Sequence, residues 1–86
     1  MSNEILEERG SVYGDFSVNL DCRADIMKAL DTVCNEKTRD TLNHKDYQAI
    51  NDIVIKLVRL AASPNHVDSW EDISNYARLN VDRLTK

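Results

Sequence analysis

The sequence predicts an all-α protein, a compact bundle of three main helices plus a short N-terminal one. Three observations predict it. Apolar residues recur at three- and four-residue spacing in three long stretches. A side chain able to cap a helix stands before each stretch. Two glycines and one proline in 86 residues are too few for the tight turns of a sandwich or a barrel. A chain of this length makes one core, so residues 1–86 are taken as a single domain.

The elements follow in order. Residues 3–9, NEILEER, read as the short helix, stopped by Gly10. GSVYGDF breaks the regularity, with Gly14 free to take a positive φ. Asp15 or Ser17 caps the next helix, which is expected to run to about Asn35. Cys22, Ile26, Ala29, Leu30 and Val33 form its apolar stripe. NEKTRDTL, 35–42, reads as a polar loop. Asn43 is a strong N-cap with Asp46 three residues on, and Leu42 can staple to Tyr47. The helix from there to about Ala62 is the most hydrophobic and is expected at the centre. Ile50, Ile53, Val54, Leu57, Leu60 and Ala61 fill one face, and Lys45, Gln48, Asp52, Lys56 and Arg59 make a narrow polar stripe. Pro64 ends that helix. Asp68 with Glu71 resembles a capping box and opens the last helix, to about Leu84, with Trp70, Ile73, Ala77, Val81 and Leu84 as its buried stripe.

Composition narrows the function. The net charge is −4, and a duplex is bound through a basic face, so nucleic acid is not an expected partner. No stretch approaches the ~18 apolar residues of a membrane span. The start, MSNEILEERG, lacks the basic n-region of a signal peptide, which fits a cytoplasmic protein. Cys22 and Cys34 would lie ~18 Å apart along one helix, too far for a disulfide, and are expected as reduced thiols.

Two groups of polar residues invite a chemical reading. Asp68, Asp72 and Asn75 are spaced i, i+4, i+7 and share one helix face. Such a face either begins a helix and meets water, or offers oxygen ligands to Mg2+, which needs only one or two carboxylates beside a substrate's phosphates. Asp52, Lys56 and Arg59 repeat the spacing on the central helix. They form either a solvated ion-paired stripe or a phosphate clamp with Arg59 as the bidentate fork. Arg9, Tyr13 and Asp15 stand in the irregular ERGSVYGDF segment, the kind of loop where polar contacts gather.

EERGSVYGDF and KLVRLAASPNHVDSWEDISNYARL together carry a pattern, ER-x3-YG-x-F, then K-x2-RL, then DSW-x-DI-x2-YA-x-L. It resembles a family of small proteins encoded by bacteriophages and prophages. That family is close in motif order to the nucleotide-modification-associated domains of phage genomes. It is distantly similar to the MazG-like all-α nucleoside triphosphate pyrophosphohydrolases. The resemblance covers residues 4–17 and 47–84. It implies a helical, oligomeric protein of the host cell cytoplasm that binds a nucleotide with Mg2+. On that basis Arg9, Tyr13, Asp15, Lys56, Arg59 and Asn75 would hold the nucleotide, and Asp68 and Asp72 the metal. Glu4, Glu7 and Glu8 do not reproduce the E-E-x-x-E of the pyrophosphohydrolases, and Glu71-Asp72 supplies no E-x-x-D. Binding or sequestering a nucleotide is therefore the first expectation, with hydrolysis an open extension. The other is a non-enzymatic phage protein that binds and inhibits a host protein. A homodimer or larger assembly is expected in either case.

Overall fold

A computed structural model describes residues 14–86, and the short helix expected at 3–9 lies outside the described residues. The described chain is all α. Helix α1 spans Phe16–Thr38, α2 His44–Ala62 and α3 Val67–Thr85.

Local chemistry sets the helix ends. Asp15 accepts from the Val18 amide at 3.1 Å, the first of the two caps proposed for α1. Gly14 before it takes φ +80, as its missing Cβ allows. At the other end α1 outruns the expected boundary by about one turn. Thr38 Oγ1 donates to the Cys34 carbonyl at 2.9 Å. Arg39 then closes the helix in the left-handed region with φ 66, its amide donating to Asn35 O at 2.8 Å. Asn35–Thr38 look like a loop because they are polar. They are also good enough helix formers to continue once that terminus is tied.

α2 begins where its cap predicts. The Asp46 amide donates to Asn43 Oδ1 at 2.9 Å, and Asn43 Nδ2 returns a bond to Asp46 Oδ2 at 2.7 Å. α3 begins one residue before the expected start. Its N-cap is His66, so Asp68 sits inside the first turn and is not the cap. His66 Nδ1 instead meets the Ser69 hydroxyl at 2.8 Å, and Ser69 is 2% exposed. Trp70 Nε1 donates to Pro64 O at 2.9 Å and fastens the turn to the helix.

α2 lies between the other two. Met27 of α1 packs with Val54 and Val58 of α2, and Ile26, Leu42, Tyr47 and Ile50 close around them. Leu60 is also buried but stands apart from that cluster. At ~100° per residue it lies about 120° round α2 from Val54, toward α3. Both neighbours run antiparallel to α2. Gly14 at the start of α1 lies against Ala62 at the end of α2. Asp46 and Lys56 of α2 meet Arg83 and Asp72 of α3. The result is three antiparallel neighbours, with α1 and α3 on flanks of α2 about 120° apart and little direct contact between them.

This arrangement changes what the apolar stripes do. The stripe expected to be buried on α3 is mostly in water. Trp70 is 53% exposed and Val81 59%, with Ala77 and Leu84 also exposed. The line turned toward α2 is instead Ser69, Ile73, Tyr76 and Asn80, about a quarter turn round the helix.

Candidate functional site

Antiparallel packing decides which side of the layer each flank faces. On α2, Asp52, Lys56 and Arg59 lie on one flank, clear of the Met27–Val54–Val58 cluster. On α3, Asp68, Asp72 and Asn75 lie to one side of the inward line. Following the ~100° steps in the two opposite helix directions puts both flanks on the same side of the molecule. Every candidate on α2 and α3 thus shares one polar face.

One direct contact joins the two groups. Lys56 Nζ stands 2.9 Å from Asp72 Oδ2, with Lys56 14% exposed and Asp72 44%. The Lys56 stem lies along the seam between the helices while its ammonium reaches the carboxylate. The sequence offered Asp52 as the partner one turn away. The structure pairs Lys56 across helices instead. Arg59 is partly buried in the last turn of α2, where a cation suits the negative end of the helix dipole. Asp68 and Asn75 are exposed. Asp68, though not the cap, is in the first turn, where its charge favours the positive end of the dipole.

Asp15 is at the same end of the molecule, because Gly14 touches Ala62. Its carboxylate is engaged in capping α1. Arg9 and Tyr13 lie outside the described residues. Among the described residues no three His, Cys, Asp or Glu side chains gather as a metal cage. Two carboxylates at i, i+4 remain compatible with Mg2+ held partly by a ligand's phosphates.

A shallow cleft of about 170 Å³ opens elsewhere, between α1 and α2, lined by Leu20, Arg23, Ala24, Met27, Tyr47 and Asn51. It contains none of the candidates and is smaller than the ~300 Å³ at which small-molecule pockets begin. Sequence reasoning did not anticipate the second cross-helix pair, Arg83 Nη2 to Asp46 Oδ1 at 3.0 Å. An acid in the first turn of α2 and a base in the last turn of α3 was the available signal, readable only once the helices are known to be antiparallel. Cys22 and Cys34 are free thiols, as expected. No described helix is long and apolar enough to cross a membrane.

Comparison with known proteins adds no relative: no family model, curated protein or solved structure matches this chain.

Proposed function

We propose that the protein binds a nucleotide together with Mg2+ on the polar face of α2 and α3, as a phage-encoded protein of MazG-like character. The observation that carries this reading is the gathering of Lys56, Arg59, Asp68, Asp72 and Asn75 on one side. These residues come from motifs separated in sequence, and Asp15 stands at the same end. The Lys56–Asp72 pair then has a defined part. Without ligand each charge neutralises the other. With ligand, Asp72 and Asp68 would turn to Mg2+ and Lys56 and Arg59 to phosphate oxygens, so neither charge is left unpaired. The proposal is for binding or sequestering, because the acids depart from the pyrophosphohydrolase pattern.

Calorimetric titration of common nucleoside triphosphates, with and without Mg2+, tests it. Saturable Mg2+-dependent binding is expected, weakened at least tenfold in Arg59→Ala and in Asp72→Ala. An absence of heat with every nucleotide in Mg2+ would sink the reading.

A second reading has its own observation. Lys56 is already closed onto Asp72, and the cleft between α1 and α2 lies away from the pair. That favours a structural ion pair in a non-enzymatic protein that binds and inhibits a host protein. Affinity capture from host lysate tests it: a stoichiometric partner is expected, retained by Asp72→Ala. Recovery of no partner counts against it.

A further inference from the structure

The polar face has an apolar opposite. On α1, Cys22, Ile26, Ala29, Leu30 and Val33 lie on one flank. On α2 the matching flank holds Ile50, Ile53, Leu57 and Ala61, and on α3 Trp70, Ile73, Ala77, Val81 and Leu84. The same wheel positions and antiparallel directions put all three flanks on one side of the layer, away from Lys56 and Asp72. Most of its members are exposed, with Val33 at 66%, Leu57 at 45% and Leu84 at 69%, while Ile26, Ile50 and Ile73 also pack inward. In a chain that is 30% charged, the charged residues within these arcs are Asp46, in the first turn of α2, and Lys37, in the last turn of α1. Contiguous apolar surface of this extent on a soluble protein marks an interface.

We propose that a second copy of this chain covers the face, in a two-fold homodimer of two three-helix layers. The size fits. Helices of 19 to 23 residues are about 30 Å long and stand ~9 Å apart, so three abreast offer roughly 800 Å². That is about what each partner gives to a stable interface. The charge fits too. Each chain carries −4, and a face with few charges, set at helix ends, lets two copies meet while the faces bearing Asp68 and Asp72 point apart. Residues 1–13 are a poorer cover, since Met1, Ile5, Leu6, Val12 and Tyr13 are their large apolar residues. The dimer does not depend on the nucleotide reading. It leaves two polar faces outward, one on each side.

Sedimentation equilibrium on the full chain decides the matter, with Leu57→Glu and Val81→Glu on the face and Leu79→Glu as a control. Leu79 is 61% exposed but lies to the other side of the inward line of α3. The wild type and Leu79→Glu are expected at twice the chain mass of 9.8 kDa. Both face variants are expected to dissociate to single chains. Loss of helical circular dichroism in the face variants, with the control intact, supports the proposal equally, because in a lone chain those side chains already stand in water. A wild type that sediments at 9.8 kDa overturns it and leaves the face to another partner. A dimer unaffected by both face substitutions overturns it as well.

Discussion

Arg39 holds φ 66, a conformation in which its Cβ crowds the following carbonyl at a cost of about 1 kcal/mol. Glycine removes that crowding but adds freedom to the unfolded chain. Arg39→Gly is therefore expected to stabilise the protein by roughly 0.5 kcal/mol, visible as a rise of a few degrees in Tm. The left-handed cap was not legible in the sequence, because arginine does not advertise a positive φ as Gly14 does. Lys56 makes the opposite point. Its stripe was legible from the spacing, but its partner was not, because Asp72 is sixteen residues away and pairing depends on how α2 and α3 align. With Lys56 mostly buried and Asp72 half exposed, Asp72→Ala is expected to cost about 1–2 kcal/mol in urea unfolding, between a surface pair and a fully buried one. Replacing both, Lys56→Met with Asp72→Ala, should recover part of that loss by removing the orphaned ammonium.

At the scale of the element, the sequence was most informative where a cap and a strong pattern agree. α2 has Asn43 before it, a dense apolar run within it and Pro64 after it, and it spans His44–Ala62. α3 shows how a good local signal misleads. Asp68 and Glu71 have the spacing of a cap, but His66 holds the N-cap position, with no side-chain cap bond to the helix, and its ring meets the Ser69 hydroxyl. These assignments separate in experiment. Asn43→Ala removes a bond to the Asp46 amide and is expected to cost ~1 kcal/mol. Asp68→Ala removes only a charge near the helix dipole and is expected to cost under ~0.5 kcal/mol. Urea denaturation of the two variants side by side checks the order, and an equal loss would return the cap to Asp68.

For the whole molecule, the three apolar stripes and the central place of α2 were legible from periodicity. What the stripes pack against was not. Periodicity says that a flank avoids water, but not whether it meets its own chain or another. In the structure α1 and α3 flank α2, and the inward lines are narrow: Met27, Val54 and Val58 on one side of α2, Leu60 and Ser69 on the other. The broader stripes are left on a common open face, and the charged candidates share the opposite one. The two proposals divide the molecule between one surface for self-association and one for chemistry. The thermal midpoint measured across a hundredfold range of protein concentration decides the self-association on which that division rests. If the open face is closed by a second copy, folding is coupled to association, and a hundredfold increase favours the dimer by about 2.7 kcal/mol, raising Tm by several degrees. A midpoint that does not move with concentration would contradict it.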